Sequence, residues 1–303
     1  MKNKVLITGT VAFDDIETPS GNSGKVIGGA GTYIALASSL FTQKLAVISI
    51  IGEDFPEKEI KFLNSRGIDT QMIEKVVGGK TFYWKGKYHE NMNSRDTITT
   101  ELNVLERFNP IVNSEFSSSG IILLGNLHPE VQGSVISQST NPNRFVILDT
   151  MNFWMDHALS ELKSVIKKVN LIIINNEEAQ QLTGEANIFN AGEKILKMGP
   201  KKVIIKKGEH GSVYLDSSQK YILPAFPVKA LVDPTGAGDS FAGGIAGILS
   251  TKQEIGYKEI KEAMQYGTLT ASFCVENFGV DGLRNLDYEK LVSRLKIFKS
   301  YIT

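Results

Sequence analysis

Unbroken apolar runs rich in β-branched residues punctuate the chain at residues 5–8, 45–51, 121–124, 145–148, 171–174 and 203–205. Continuous rather than alternating apolarity marks strands covered on both faces, the pattern of a parallel sheet. Residues 33–41, 58–66, 159–169 and 188–198 lie between these runs with apolar positions three and four apart, and 240–250, 258–275 and 287–298 repeat that spacing. Strand and helix alternate, which predicts an α/β fold with a doubly wound, mainly parallel sheet flanked by helices. Residues 71–102 break the rhythm: β-rich runs lie on either side of Gly78-Gly79, which reads as a hairpin turn, and residues 97–102 offer a further strand. A patch of this size does not fold alone, so it is expected to form a small antiparallel β lid. No linker-like segment divides the chain, and the prediction is one domain over 1–303 with lid elements within about 11–27 and 71–102.

Charge and composition narrow the partners. Lys plus Arg and Asp plus Glu both number 33, giving a formal net charge of 0, so there is no overall basic field to gather nucleic acid or an anionic membrane. A small-molecule partner is expected instead. The lone cysteine, Cys274, and four dispersed histidines suggest neither an internal disulfide nor a local zinc motif. Only three apolar residues follow the basic start before polar ones return, and no stretch approaches the length of a membrane span, so the expected location is the cytoplasm.

The segment with the clearest chemistry is Thr235-Gly236-Ala237-Gly238-Asp239, placed directly before an apolar helix. Glycines let backbone N–H groups crowd around an anion, and a helix start adds partial positive charge there. A carboxylate inside such a cradle would repel a phosphate unless it accepts a proton from an attacking alcohol; the plainer reading is that Asp239 caps the helix. The longer stretch Asp233-Pro-Thr-Gly-Ala-Gly-Asp-Ser-Phe-Ala-Gly-Gly resembles the C-terminal signature of the ribokinase-like (PfkB) carbohydrate kinases. The resemblance implies a ribokinase-like fold and transfer of a phosphoryl group from ATP, with Mg²⁺, to a hydroxyl of a small sugar or a nucleoside. It implies Asp239 as catalytic base, the backbone of Gly236, Ala237 and Gly238 as anion hole, and a monovalent cation such as K⁺ beside Asp233 and Thr235.

Further segments fall in the family's order. Asp14, after the first strand, matches the acid that grips vicinal hydroxyls, and Gly28-Gly29 with Tyr33 matches the acceptor-side segment, although many relatives carry Asn where Tyr33 stands. Asn175-Asn-Glu-Glu178 matches the Asn-x-x-Glu motif that holds Mg²⁺ through its water shell, with Glu177 as the neighbour to discount. Lys206, Gly208 and Gly211 resemble the nucleotide-side loop, and Asn277 is expected near adenine by the same analogy. A homodimer through the lid is implied as well.

Two other motifs fail on spacing. Gly79-Lys80-Thr81 ends like a Walker loop but has Glu74 where the first glycine belongs, and Gly29-Ala-Gly31 starts a dinucleotide fingerprint that Ile34 breaks. A sensor that keeps the fold without catalysis is the distinct alternative. An adenosine-type acceptor would want an aromatic slot from Phe13, Tyr33 or the lid aromatics, and a phosphorylated sugar would want cations converging from Lys85, Lys87 and Arg95.

Overall fold

Odd and even positions of the apolar strands part company in the computed structural model, which describes residues 3–302. Val5, Ile7, Val47, Ile121, Leu123, Leu171 and Ile173 face one core, built against helices Ala30–Ser39, Ala237–Ser250, Tyr257–Cys274 and Tyr288–Ile302. Leu6, Ile48, Ile122, Leu124, Ile172 and Ile174 face a second core under helices Pro129–Ser137, Leu159–Ile166, Asn176–Thr183 and Ile188–Lys197. A strand buried on both faces needs no polar alternation, which is why the runs read as continuous.

The central sheet runs Lys220–Leu223, Ser212–Asp216, Lys202–Lys206, Leu171–Asn175, Phe145–Asp149, Ile121–Leu124, Val5–Thr8 and Leu45–Gly52, with two short strands beyond. All neighbours are parallel except at the first two pairings, which form an antiparallel edge. Parallel strands end on the same side, so Gly9, Gly125, Thr150, Asn176 and Lys207 leave the sheet along one rim. Such a rim, at the carboxyl ends of the strands, is where ligands bind in open α/β sheets.

A separate four-stranded sheet lies over that rim, ordered Gly21–Gly28, Ala12–Thr18, Tyr83–Tyr88 and Arg95–Glu101. It is the expected lid, with one correction. Ile73–Val76 does not pair with the lid across Gly78-Gly79; it adds in parallel to Leu45–Gly52 in the main domain. The glycines are instead pressed against the end of that strand, where Glu53 donates its N–H to the Gly79 carbonyl at 2.9 Å. The true hairpin joins Tyr83–Tyr88 to Arg95–Glu101, and its tip is residues 89–94.

Alternation sorts the lid residues cleanly. Asp14 is paired with Val26 and Trp84, and Tyr88 with Arg95, so these share the inner face. Asp15, paired with Lys25 and Lys85, and Glu17, paired with Lys87, share the outer one. There Lys85 and Lys87 form ion pairs with Asp15 and Glu17. Among the described residues no helix is long and apolar enough to cross a membrane.

Candidate functional site

The helix Ala237–Ser250 is buried from Ser240 onward, and its position is fixed by bonds to both neighbouring helices: Ser38 donates to the Gly243 carbonyl at 2.8 Å and Thr270 to the Ser240 carbonyl at 2.7 Å. Only its first turn reaches the rim. Gly236 caps it at φ 75°, a left-handed conformation that other residues resist, and a Cβ there would lie 2.4 Å from the ring of Tyr33. Tyr33 is therefore a floor under the loop, 1% exposed, with its hydroxyl buried and unpartnered.

Asp233 braces this loop from behind. It is wholly buried, its Oδ1 accepts the Thr235 N–H at 2.8 Å and its Oδ2 the Gly279 N–H at 2.9 Å. These bonds account for both carboxylate oxygens as turn chemistry. They also tie down the loop that carries Asn277, whose own side chain is exposed. Thr235 donates its hydroxyl to Tyr88 Oη at 3.1 Å, so it faces the lid.

On the acceptor side, Asp14 is 4% exposed and accepts the Gly29 N–H at 3.3 Å. Gly28 is indispensable to it: a Cβ there would fall 1.8 Å from Asp14 Oδ2. Burial raises the Asp14 carboxyl to about 7, opposed by the Gly29 N–H, reinforced by the charge of Asp233 and eased by Arg95.

Lys206 ends the strand Lys202–Lys206, the last of the parallel strands, and joins elements that the sequence leaves far apart. Its Nζ lies 3.1 Å from Asp149 Oδ1, and a Cβ on Gly238 would lie 2.8 Å from the same Nζ. The ammonium thus rests against the first turn of the anion-hole helix. Burial works against its charge, yet Asp149, Glu178 and Asp239 together hold its pKa above the ordinary lysine value. Glu178 and Asn175 form a reciprocal capping box, with Asn175 N–H to Glu178 Oε2 at 2.7 Å and Glu178 N–H to Asn175 Oδ1 at 2.8 Å.

Three carboxyls surround that lysine, and burial pushes all three up. Glu178 rises to about 7 and Asp239 to about 8, with Asp149 raised as well; Lys206 pulls each down, while Asp149 adds its repulsion to both of the others. Asp239 also feels the charge of Asp14, and the two segments meet through Tyr33, which lies under Gly236 in the helix that follows the Gly29 bonded to Asp14. Three raised carboxyls against one ammonium leave excess negative charge at this end of the sheet, although among the described residues no three acidic, histidine or cysteine side chains cluster as a ready-made metal site. Glu178 spends Oε2 on its cap, and among the described residues no hydrogen bond is made to its Oε1, which fits one oxygen reaching a hydrated Mg²⁺.

Gly208 and Gly211 adopt φ of 55° and 82° in the turn that follows Lys206, and Asn93 at the lid tip donates to Glu209 in that turn at 3.2 Å. The lid therefore spans the chamber from the acceptor side to this turn. Two residues of the chamber had weak local signals. Asp149 has no signal of its own, because one acid at a strand end belongs to no spaced motif; it meets Lys206 across the intervening strand Leu171–Asn175, which pairs with both of theirs. Arg95 was grouped with Lys85 and Lys87, but the pleat puts it on the other face from them.

The arrangement has recognisable counterparts. The pfkB family carbohydrate kinase pattern matches residues 10–285. A cytidine kinase from Thermococcus kodakarensis is 28% identical over 246 residues, covering 79% of this chain and 86% of the relative. A ribokinase from Bacillus subtilis is 26% identical, covering 88% and 87%. In three dimensions the Arabidopsis thaliana ribokinase complexed with ribose and ATP superposes with a TM-score of 0.79 at 19% identity, covering 98% of this chain and 99% of that one. A carboxylate at a glycine-capped helix start, opposite a second carboxylate held by paired glycines, thus has its explanation in descent: the chain belongs to the pfkB family of carbohydrate kinases.

Proposed function

We propose that the chain moves the γ-phosphoryl group of ATP to a hydroxyl of an uncharged small sugar, or of the sugar ring of a nucleoside, with Asp239 as general base. The observation that carries this reading is that the Gly28-Gly29 clasp on Asp14 and the start of the helix that bears Asp239 meet through Tyr33, whose ring lies under Gly236, beneath the lid. Asp14 accepts O–H donors from the acceptor, as a carboxylate does with a diol. Asp239 receives the proton of the attacking hydroxyl, and the N–H groups of Gly236, Ala237 and Gly238 take up charge on the phosphoryl oxygens. Lys206 holds the phosphates from the other side. Phosphoryl transfer is loose enough that positioning and charge neutralisation matter more than strong basicity.

Glu178, with Asp149 nearby, would help hold Mg²⁺, which would supply charge neutralisation to the phosphates. Glu178→Gln is a clean probe of this, because glutamine still accepts the Asn175 N–H and keeps the cap while losing the charge. The Mg²⁺ concentration for half-maximal turnover is expected to rise about 10- to 100-fold. An unchanged Mg²⁺ titration would remove Glu178 from the cation's surroundings. We assign Asp233 to bracing the loop through the Thr235 and Gly279 N–H bonds.

An acceptor that already carries phosphate is disfavoured by the lid geometry: Lys85 and Lys87 pair with Asp15 and Glu17 on the outer face, leaving Arg95 alone on the inner one. Phe13 packs on Phe55 and under Lys25, and Tyr33 lies beneath Gly236, so an aromatic slot for a base would draw on Trp84 and Tyr88. Lid-to-lid dimerisation would desolvate the outer ion pairs, which is costly, so we assign the lid to its own chain. A coupled ADP-release screen across free pentoses, hexoses and nucleosides tests the proposal. One class should turn over, and Asp14→Asn should raise its KM about 10- to 100-fold while sparing that of ATP. No ADP release with any of them would overturn the reading.

A further inference from the structure

The cations of the lid are not equivalent. Lys25, Lys85 and Lys87 lie on the outer face, and each has a carboxylate partner, in Asp54, Asp15 and Glu17 respectively. Arg95 stands directly across from Tyr88 on the inner face, with its guanidinium carbon 5.7 Å from the centre of the Trp84 ring and 6.0 Å from that of Tyr88. Two aromatic neighbours hold the charge by cation–π attraction and leave the fork of N–H donors for other partners. Among the described residues no carboxylate comes within ion-pairing distance of Arg95.

That lack of a partner is unusual among the cations of the lid. Arg95 shares the inner face with Asp14, Trp84 and Tyr88, and the Tyr88 directly across from it reaches Thr235 of the anion-hole loop. The hairpin that carries it is fastened on both sides of the chamber, through Tyr88 to Thr235 of the anion-hole loop and through Asn93 to Glu209. An arginine on the inner face of the lid, across from the tyrosine that meets the anion-hole loop and with no carboxylate partner of its own, is placed for an anion that enters beneath the lid.

We propose that Arg95 binds the oxygens of the transferring phosphoryl group, facing the helix start at Gly236, and that the lid thereby completes the catalytic site. The proposal rests on the kinase reading above. In the step it serves, the acceptor oxygen bonds to the γ-phosphorus and the bond from that phosphorus to the β,γ-bridging oxygen breaks. The acceptor proton passes to Asp239, ADP leaves, and Arg95 exchanges no proton. A planar fork of donors suits two phosphoryl oxygens at once, which a lysine ammonium does not match.

The test compares wild type, Arg95→Ala and Arg95→Lys in steady-state ADP release with the acceptor found by the screen. It also measures binding of MgADP, alone and with aluminium fluoride as a mimic of the transferring group. Arg95→Ala is expected to lower kcat about 10²- to 10³-fold. Acceptor KM and MgADP affinity should stay within about threefold of wild type, while the tightening caused by aluminium fluoride disappears. Arg95→Lys should fall between, and millimolar guanidinium should restore part of the turnover of Arg95→Ala.

A kcat within about threefold of wild type overturns the proposal, and so does a loss confined to acceptor KM, which would make Arg95 an acceptor contact. Loss of MgADP affinity together with thermal stability would make it a structural residue of the lid and equally overturn it. Asp239→Asn serves as the control on the underlying reading: if that variant turns over normally, the kinase mechanism fails whatever Arg95 does.

Discussion

Asp239→Asn is expected to lower kcat about 10²- to 10⁴-fold while ATP binding stays close to wild type. Asparagine is nearly isosteric and keeps the first turn of the helix, so the anion hole at Gly236, Ala237 and Gly238 survives and only the proton acceptor is lost. The remaining activity measures what positioning and charge neutralisation supply by themselves. Wild-type kcat/KM should also fall as pH drops through about 8, where the buried Asp239 carboxyl takes up its proton. That acidic limb should be absent from the residual activity of Asp239→Asn. Near wild-type turnover would sink the assignment of Asp239 as base.

The same substitution should stabilise the fold. An aspartate whose carboxyl is raised to about 8 in the folded chain binds a proton more tightly there than in the unfolded chain, where it titrates near 4. Between those values the folded state holds more protons, so stability falls as pH rises. The melting temperature of Asp239→Asn should therefore exceed that of wild type by a margin that opens above pH 4, grows to about pH 8 and is then constant. A catalytic carboxylate buried beside two others is maintained at the expense of stability. A margin independent of pH would show that the effect is not one of ionisation.

Much of this was legible in the chain because the relevant constraints are local. The parallel strands betray themselves through burial on both faces, and Gly236-Ala-Gly-Asp239 carries its own turn, helix start and carboxylate within four residues. The hairpin at Gly78-Gly79 failed for the opposite reason. Two glycines between β-rich runs satisfy a turn, but whether residues 73–76 pair with the strand that follows or with Leu45–Gly52 is decided by tertiary contacts. Asp149 was illegible in the same sense, since its meaning lies in a lysine two strands away in the sheet. Tyr33 was legible as a departure from the acceptor motif, yet its position under Gly236 depends on how helices Ala30–Ser39 and Ala237–Ser250 cross. The inner and outer faces of the lid follow from simple alternation once the register is known, and the register is what the sequence does not supply.

Lys206→Met should be the second most damaging change in the chamber, lowering kcat/KM for ATP about 10²- to 10³-fold at neutral pH. Methionine fills most of the same volume, so the loss is of charge. Two consequences separate this from a packing defect. Asp149 loses its 3.1 Å partner and remains buried, and the carboxyls of Asp149, Glu178 and Asp239 all lose the ammonium that pulls their pKa values down. The acidic limb of the pH–rate profile should therefore move to higher pH, so that part of the lost activity returns on raising the pH. A variant that is merely misfolded gains nothing from alkali, and a lysine that only touched phosphate would leave the limb where it was. Displacement of the limb, measured beside the unmoved limb of a surface control such as Lys258→Met, ties ATP binding and the ionisation of the base to one residue. The reason is geometric: Lys206 rests against Gly238, and an ammonium there cannot serve the phosphates without also setting the charge state of the carboxylate one residue further on.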